Sequence, residues 1–387
     1  MEKVGLVGAS CRAMAASLCR SGFSVATADM FADLDTCQVA QASRLRRYPW
    51  AALSWLHESE VDAWCYTGGM ENYPRLIQRM ASERPLLGNS SETLRKVRDP
   101  FRLAHLAKEH GFLFPETRRS LAASSGDRWL VKPFRSAGGL QIRRCRDEPF
   151  VGQHAYVQRE MEGTPMSLAV LSTSRQWTIM GVSQLLVGTK YGAPGEFIFA
   201  GAITTSLEEM GCGDELKEII AAIHNDANLV GLWGVDFLLA DRPIVLEVNP
   251  RWTATMPLYE RVDDASLMSY HMAACREQTL IERSVKSMRV SGVAILYSAR
   301  EFILDEARLA QLSNVFDLSR EASLAKPEIA DIPVLGTRIE VGHPICSVYA
   351  DGGTSHEVEQ RLQERIARTC AVLGQDVSWG RERHFPE

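Results

Sequence analysis

Two carboxylates, Asp236 and Glu247, lie on a predicted β-hairpin that turns at 241–243. Because side chains alternate along a strand, a register that pairs Asp236 with Glu247 puts Asn249 on the same face. Facing carboxylates with Cβ atoms roughly 5 Å apart repel each other unless a cation lies between them. Hard divalent cations take oxygen ligands, so these three side chains predict a Mg²⁺ site, with Mn²⁺ as the alternative ion. The competing interpretation is a solvated edge hairpin with an unfavourable charge pair.

The opposite face of the same hairpin is apolar. In the predicted register it carries Val235, Phe237 and Leu239 on one strand against Ile244, Leu246 and Val248 on the other. A continuous apolar face is typical of the side of an antiparallel hairpin that packs on a core. We therefore expect the hairpin to bury this face and to present its carboxylates on the other.

Lys132 ends a short apolar strand and is followed by a loop of small residues. Backbone N–H groups of such a loop, together with the ammonium group, can hold phosphates. The small side chains also let a ligand approach the backbone closely. The segment lacks the G-x-x-x-x-G-K-[ST] pattern, which excludes a P-loop, and a plain glycine hairpin is the alternative. Phosphate binding is accordingly predicted for Lys132, Ser136, Ala137, Gly138 and Gly139.

The composition is that of an ordinary globular protein. A net charge of −5 gives no support for nucleic-acid binding, and we interpret the basic run at Arg44, Arg46 and Arg47 as a solvated helix face. The nine cysteines are scattered without any C-x-x-C pair, which favours a reducing compartment over a zinc site or a disulfide framework. No apolar run approaches the ~18 residues of a membrane span. A cytoplasmic protein that binds neither nucleic acid nor membrane is expected.

Residues 1 to about 92 alternate between strand-like and helix-like segments. Strands are predicted at 3–7, 24–28, 62–66 and 85–88, with helices ending near Cys19, following Pro49 and starting at Pro74. This alternation is typical of an open parallel sheet, whose ligands bind beyond the carboxyl ends of the strands. Loops 9–12 and 67–72 are therefore candidate substrate-binding segments, with tight structural turns as the alternative. Gly5 and Gly8 lack the full G-x-G-x-x-G pattern and give little support for a dinucleotide.

The remainder of the chain changes character. A helix is predicted at 93–115, with a start at Asp99–Pro100 and a stop at Gly111. From about 128 the pattern is strand-rich, interrupted by one helix at about 214–228 that precedes the hairpin. The tail has short strands and a final helix near 356–373. The predicted domains are therefore 1–92, 93–287 and 288–387.

The order of these signals resembles the ATP-grasp superfamily over essentially the whole chain. The matching pieces are the V-K-P strand end at 131–133, the Ser/Ala/Gly loop, a hinge at 155–163, and D-x-L-L at 236–239 followed by E-V-N-P-R at 247–251. The tail resembles a reduced C-terminal module of the biotin-carboxylase-like branch. The resemblance implies an α/β and α+β fold, with an N-terminal open parallel α/β domain, a central ATP-grasp domain and a small C-terminal α+β module.

The resemblance also implies that ATP lies between two sheet-bearing subdomains. Lys132 would contact the phosphates, and the 136–139 loop would close over the β- and γ-phosphates. Gln158, Arg159, Glu160 and Met161 would lie along the adenine edge, while Leu238 and Leu246 would line the purine slot. Lys190 matches a phosphate-binding lysine, with an exposed loop lysine as the alternative.

The same resemblance assigns the metal and the transferring group. Asp236, Glu247 and Asn249 match the family's magnesium ligands, and Arg251 matches the arginine that stabilises the transferring phosphate. Lys132 and Arg251 are thus the expected catalytic residues.

Two positions depart from the family pattern. Pro100 follows Asp99 where similar enzymes carry a nucleotide-binding lysine, so that charge is either missing or supplied by Arg98 or Arg102. Pro165 stands where an acidic residue holds ribose, which leaves Glu160 or Glu162 as substitutes. Unusual nucleotide affinity or specificity is therefore expected.

The implied chemistry is activation of a carboxylate by ATP to an acyl-phosphate that an amine attacks. The leading hypothesis is a carboxylate–amine ligase acting on small-molecule acid and amine substrates in the assembly of a cofactor or peptide-like metabolite. The sequence is similar to ligases associated with methanofuran and tetrahydromethanopterin pathways. The alternatives are a bicarbonate-using carboxylase of the biotin-carboxylase-like type and a non-catalytic nucleotide- or pterin-binding protein. The oligomeric state stays open, with a homodimer as one option.

Overall fold

The computed structural model describes residues 2–120, 128–145, 152–263, 266–281, 289–376 and 379. Its N-terminal part alternates strands and helices in the order β1 (Lys3–Val7), α1 (Arg12–Arg20), β2 (Ser24–Asp29), α2 (Leu34–Val39), β3 (Gln41–Arg44), α3 (Ala52–Glu58), β4 (Ala63–Tyr66) and α4 (Pro74–Glu83). The strands form a parallel sheet in the order β3-β2-β1-β4. The predicted open parallel α/β domain is confirmed.

Two elements of this domain lie outside the sequence prediction. The sequences of α2 and β3, Leu-Asp-Thr-Cys-Gln-Val and Gln-Ala-Ser-Arg, are polar and show no apolar period. Because Arg44 ends β3 and the following residues form a turn, the basic run is not a helix face, and that interpretation is wrong. The predicted strand at 85–88 is reduced to one bridge between Trp64 and Leu86.

The loops that follow β1 and β4 lie side by side at the carboxyl edge of the sheet. The N–H of Ala9 donates to the carbonyl of Gly68 over 2.8 Å. A Cβ on Gly8 would lie 2.1 Å from the Thr67 side chain, so this close approach accounts for the glycine without a dinucleotide. Both candidate substrate-binding loops therefore meet at one place.

The central part contains two sheets. Its elements are α5 (Ser91–Val97), α6 (Pro100–His110), β5 (Thr117–Arg118), β6 (Trp129–Pro133), β7 (Arg143–Arg144), β8 (Ala155–Arg159), β9 (Thr164–Ser172), β10 (Trp177–Val187), β11 (Phe199–Thr205), α7 (Leu207–Met210), α8 (Gly213–Ala227), β12 (Gly231–Leu239), β13 (Pro243–Asn249), α9 (Met256–Asp263) and α10 (Leu267–Glu277). A small sheet has the order β5-β8-β6-β7, and β13-β12-β9-β10-β11 form one end of a large antiparallel sheet. A cleft lies between the two sheets.

The predicted helix at 93–115 is two helices. Asp99 leaves the helical region (φ −90°, ψ 108°), as a residue before proline is expected to do, and its Oδ1 accepts the N–H of Phe101 over 2.9 Å. Helix α6 ends at Gly111, which is left-handed with φ 76°. The predicted start and stop are thus confirmed, but Arg98 lies at a break rather than inside a helix. The predicted domain boundary at 92/93 falls within α5.

The C-terminal part continues the large sheet. Its elements are β14 (Val290–Tyr297), β15 (Phe302–Ile303), α11 (Glu306–Val315), α12 (Arg320–Leu324), β16 (Ile329–Ala330), β17 (Arg338–Ile339), β18 (Pro344–Gly352) and α13 (Ser355–Leu373). Among the described residues the full sheet has eight strands in the order β13-β12-β9-β10-β11-β14-β18-β16. The predicted boundary at 287/288 lies outside the described residues, and the division into three domains stays a prediction.

Helices cover the large sheet and hold the hairpin in place. Helix α8 packs on the strands that carry Trp233 and Phe237, both of which are fully buried. Full burial of such a side chain contributes about 1.5–3 kcal/mol. Helix α13 covers the C-terminal strands with Leu362, Ile366 and Cys370, as its apolar stripe predicts. None of the helices in the described part of the chain has the length and apolar character needed to cross a bilayer.

Candidate active site

The hairpin of β12 and β13 brings the three predicted metal ligands together. Asp236 pairs with Glu247, and Gly234 pairs with Asn249. The amide Nδ2 of Asn249 donates to Asp236 Oδ2 over 2.8 Å and lies 3.4 Å from Glu247 Oε1. The amide hydrogens therefore lie where the two carboxylates need positive charge. These are the positions that the sequence indicates, and the metal role itself stays a prediction.

A β-bulge follows Asp236 and changes the face of one leucine. Phe237 pairs with Val245 rather than with Leu246, so the register slips by one residue. Leu246 and Leu238 both line the cleft, while Val245 packs in the core. The placement of Leu246 on the apolar face is therefore wrong, because strand alternation cannot reveal an inserted residue. Both leucines thus lie where they could contact a purine, and that role stays a prediction.

The two hairpin carboxylates have opposite electrostatic environments. Burial raises the pKa of Asp236, and the charge of Glu247 raises it further. Burial also acts to raise the pKa of Glu247, but Arg98, Lys132 and Arg251 outweigh it and hold that pKa below its usual value. Glu247 is therefore ionised, and Asp236 binds a proton readily unless a cation is present.

Lys132 is a buried ammonium at the floor of the same cleft. Its Nζ donates to the neutral amide oxygen of Gln158 over 3.0 Å, and the residue is 9% exposed. Burial lowers the pKa of Lys132, an effect that Glu247 and Asp236 partly offset. Because its hydrogen-bond partner is neutral, the ammonium keeps its charge for an anionic ligand.

The small-residue loop lies against both neighbouring parts of the cleft. The carbonyl of Ser136 accepts from Arg98 Nη2 over 3.1 Å, and the carbonyl of Gly138 accepts from the N–H of Phe199 over 3.0 Å. Gly139 has φ +80°, and a Cβ there would lie 1.8 Å from the carbonyl oxygen of Phe197. Any larger residue at 139 would push the loop away from the segment that precedes β11.

The hinge supplies one wall of the cleft. Gln158, Arg159, Glu160 and Met161 all line it, as the resemblance implies. Arg144 donates to Glu160 Oε1 over 3.0 Å, so the carboxylate is held by an ion pair. Met161 is 37% exposed, which leaves an apolar surface at the cleft.

Two cavities meet at the end of the hairpin. The nucleotide cavity, as we name the first, has a volume of about 500 Å³ and is lined by the hairpin, the hinge, Lys132 and the 136–139 loop. The second cavity has a volume of about 450 Å³ and lies between the N-terminal loops and the C-terminal strands. Both volumes are typical of small-molecule sites. The residues that line both are Phe199, Arg251, Thr253 and Ala254.

Arg251 is fixed at this junction by Glu71. Its Nε and Nη2 lie 2.9 Å and 2.8 Å from Glu71 Oε1, and its Nη1 donates to the carbonyl of Trp252 over 2.9 Å. The Glu71 side chain is 0% exposed, and its Oε2 has no hydrogen-bond partner among the described residues. The guanidinium therefore has one orientation, facing the place where the cavities join. Sequence reasoning missed this pairing, although Glu71 lies in the predicted substrate loop.

Lys190 is not brought to the site. It is exposed, its ammonium lies 5.3 Å from the centre of the Tyr191 ring, and it is absent from the described lining of the nucleotide cavity. Lys190 thus lies in an exposed loop in this structure, and its phosphate-binding role stays a prediction. A loop residue has no periodic pattern that fixes its direction, so sequence could not decide between the two.

The structure also distinguishes between the residues expected to replace the missing lysine and the missing acidic residue. Arg98 lines the nucleotide cavity with its Nη1 3.3 Å from Glu247 Oε2, whereas Arg102 pairs with Asp226 on the surface. Glu160 lines the cavity, whereas Glu162 is exposed and pairs with Arg128. Arg98 and Glu160 are thus the members of each pair at the site.

Comparison with known proteins supports the same assignment. Residues 97–255 match the family model described as the ATP-grasp domain. No curated protein is similar enough in sequence to match the chain.

The solved structures that resemble the chain do so over most of its length. Carboxyaminoimidazole ribonucleotide synthase from Aspergillus clavatus, complexed with ATP, has a TM-score of 0.68 at 13% identity and covers 96% of this chain and 99% of its own. L-amino acid ligase from Bacillus licheniformis has a TM-score of 0.67 at 14% identity, covering 94% and 96%. Biotin carboxylase from Campylobacter jejuni has a TM-score of 0.70 at 13% identity, covering 93% and 90%.

At these identities the structural likeness concerns the fold, and the family match covers the residues that form the nucleotide cavity. The resemblance and the fold class predicted from the sequence are both confirmed. Residues 97–255 therefore form an ATP-grasp domain, and the chain as a whole shares the fold of these solved structures.

Proposed function

We propose that this protein is an ATP- and Mg²⁺-dependent carboxylate–amine ligase that forms an amide through an acyl-phosphate. One observation carries the proposal: a nucleotide cavity and a second cavity of similar size meet at a fixed arginine. Two substrates that must react with each other need such a junction. Arg251, held by Glu71, is the charged group at that place.

The hairpin residues fit a magnesium ion. Asp236 and Glu247 offer carboxylate oxygens at one point and repel each other without a cation. Asn249 would add its Oδ1 once its amide group turns over, since that oxygen accepts from Arg251 here. Mn²⁺ would suit the same oxygen ligands. When bound, the ion would offset the negative charge of the ATP phosphates.

The cationic side chains around the cavity hold the remaining phosphate charge. Lys132 and Arg98 approach the cleft from opposite subdomains, and Arg251 lies at its end. Positioned charges of this kind stabilise a transferring phosphoryl group without any covalent step by the protein. Arg98 takes the place of the lysine that Pro100 excludes.

The proposed reaction balances in two steps. A carboxylate oxygen of the acid attacks the γ-phosphorus of ATP, the bond to the β-phosphate oxygen breaks, and ADP leaves. The amine nitrogen then attacks the acyl carbon of the acyl-phosphate, inorganic phosphate leaves, and the nitrogen loses one proton. We propose small-molecule acid and amine substrates and a cytoplasmic location, which the scattered free cysteines favour.

A bicarbonate-using carboxylase is the second candidate. It is favoured by the structural likeness to biotin carboxylase and carboxyaminoimidazole ribonucleotide synthase. In that reaction bicarbonate takes the place of the organic acid, and all other roles of the site stay the same.

Oxygen labelling tests the ligase proposal directly. The full chain is incubated with ATP, MgCl₂, amines and carboxylic acids labelled with ¹⁸O in both carboxyl oxygens. ADP formation that requires both acid and amine, with one ¹⁸O in each phosphate released, is the expected result. Phosphate without label would contradict the acyl-phosphate, and turnover that depends on labelled bicarbonate would favour the carboxylase.

A further inference from the structure

A cluster of carboxylates that the proposed reaction does not use borders the second cavity, which two of its members, Asp33 and Asp331, line. Asp29, Asp33, Asp35 and Asp331 lie close enough to influence one another's ionisation, with Arg12 as the cation among them. Arg12 contacts Asp331 and Asp35 at 3.3 Å and 3.7 Å. Four carboxyl groups share one guanidinium, so they repel one another when all are ionised.

Three of these carboxylates have hydrogen-bond donors. Asp29 accepts backbone N–H groups at Cys11, Phe31 and Ala32. Asp35 accepts the backbone N–H groups of Asp331 and Ile332. Asp331 itself accepts from Arg12 and from Ser347. Each of them is therefore a structural group within the fold.

Asp33 differs from its neighbours. It is only 7% exposed and lines the second cavity, yet its carboxylate accepts no hydrogen bond from any described residue. Asp33 occupies the N-cap position of α2, where an aspartate ordinarily accepts a backbone N–H, and makes no such bond. A buried carboxylate without a donor is costly, so a ligand that supplies one gains a large part of that free energy.

The other charged groups of the cavity do not compete for this place. Arg44 is exposed, and its Nε donates to the carbonyl of Met30 over 3.1 Å. Arg338 is 65% exposed and paired with Glu301 at 2.8 Å, and His343 is 62% exposed. The buried cations of the cavity, Arg12 and Arg251, are paired with Asp331 and Glu71. The other positive side chains thus lie at the solvent-exposed edge, whereas the carboxyl group of Asp33 lies inside without a donor from the described residues.

The surroundings of Asp33 favour an organic cation over a metal ion. A hard divalent cation requires several oxygen ligands, but the other carboxylates here are already bound to donors. Apolar side chains such as Met14 and Phe31 line the cavity beside Asp33 and suit the alkyl part of a ligand. An ammonium group on an alkyl chain combines both properties.

We propose that the second cavity binds a substrate that carries a protonated ammonium group in addition to its reacting group. The carboxylate of Asp33 accepts a hydrogen bond from this ammonium group. The ammonium is held at Asp33 and does not react, while the other end of the substrate reaches Arg251. This substrate class rests on the proposed ligase function for the identity of the reacting end. The binding of the cation to Asp33 does not depend on it.

Calorimetric titration of the full chain with two isosteric probes tests the proposal. 5-Aminopentanoate ends its chain in an ammonium group, its only one, and hexanoate has a methyl group at the same position. We expect 5-aminopentanoate to bind the native protein about tenfold or more tightly than hexanoate. Asp33→Asn, which keeps the shape of the side chain, is expected to remove that difference. Asp241→Asn, in the exposed hairpin turn, is the matched control and should keep it.

Each outcome of this experiment decides the proposal. Equal affinity for the two probes, no binding of 5-aminopentanoate, or preference for 5-aminopentanoate that survives in a folded Asp33→Asn protein would overturn it. Thermal unfolding of each variant checks that the fold is intact. Selective binding of 5-aminopentanoate without any ADP formation from acid–amine mixtures would refute the ligase function and leave the ammonium site standing.

Discussion

The two cavities shift the pKa of a carboxyl group in opposite directions. Glu247 in the nucleotide cavity is surrounded by Arg98, Lys132 and Arg251, whose charges overcome burial and hold its pKa below the ordinary value. Asp33 in the second cavity meets burial and the charges of Asp331, Asp35 and Asp29, which together raise its pKa to about 8. One cavity is thus prepared for anions with a compensating metal ion, and the other for a cation.

The junction between the cavities links the two sites through one residue. Arg251 lines each of them and is held by Glu71 in the N-terminal domain. Variants on either side should therefore separate ATP binding from binding in the second cavity, whereas variants at the junction should affect the reaction itself.

Replacing Arg251 should have the largest effect of the single variants. Arg251→Ala removes the charge from the place where the phosphoryl group is transferred, and we expect kcat to fall about 10²–10³-fold. The Kd of ATP should change far less, because Lys132 and Arg98 remain. Steady-state kinetics together with ATP titration measures both. An unchanged kcat would place the reaction elsewhere and break the comparison at its junction.

Gly139→Ala should impair the nucleotide cavity alone. The new Cβ would meet the Phe197 carbonyl at 1.8 Å in a left-handed backbone, so loop closure should cost about 2 kcal/mol and weaken ATP binding about thirtyfold. Gly138→Ala is the control, since its φ is +62° but no atom lies within 4 Å of a Cβ there. It should show a smaller loss. Equal losses in the two variants would mean that backbone strain, rather than contact with Phe197, sets the position of the loop.

Asp33→Asn should affect the second cavity alone and should change stability with pH. The pKa of Asp33 is raised to about 8 in the folded protein from a value near 4 in the unfolded chain. Protonated Asp33 therefore contributes stability that is fully present below about pH 4 and is lost as the pH rises through about 8. Asparagine cannot ionise, so the variant should be more stable than the native protein near pH 8. We expect the free energy of unfolding to rise by about 1.5 kcal/mol in the variant. The gain stays this small because Asp33 titrates together with Asp35 and Asp331, so the effect of one group is distributed over all three.

Chemical unfolding of both proteins at pH 5 and pH 8 measures this difference. ATP affinity should stay the same in the variant. A variant that is less stable at pH 8 would show that Asp33 is ionised and already stabilised in the free protein.

Glu71→Gln should have the smallest of these effects. The amide keeps the shape but loses the charge that holds Arg251, so we expect kcat to fall about tenfold. KM for ATP should change little, and Glu71→Asp should recover part of kcat by restoring the charge. A loss confined to KM would assign Glu71 to ATP binding rather than to the position of Arg251.

The parts of the site that sequence predicts are those set by local pattern. Asp236, Glu247 and Asn249 follow from the alternation of a hairpin, and Lys132 follows from a strand end beside small residues. The fold class follows from the same patterns, namely alternating helices and strands before about residue 92 and a strand-rich pattern after about 128.

The parts that sequence does not predict depend on tertiary packing. Glu71 and Arg251 are 180 residues apart in sequence, and nothing in their neighbours indicates that they meet. The bulge that turns Leu246 into the cleft and the surface position of Lys190 depend equally on surrounding structure. Asp33 follows the same rule, since its neighbour Asp331 comes from the far end of the chain.

Magnesium-dependent ATP binding tests the central claim most directly. ATP is titrated into the native protein, the double variant Asp236→Asn/Glu247→Gln and the control Asp241→Asn, each with and without MgCl₂. We predict that Mg²⁺ strengthens ATP binding in the native protein and the control and has no effect in the double variant. A double variant that still binds ATP more tightly with Mg²⁺ would contradict the assignment of the hairpin carboxylates as the metal site.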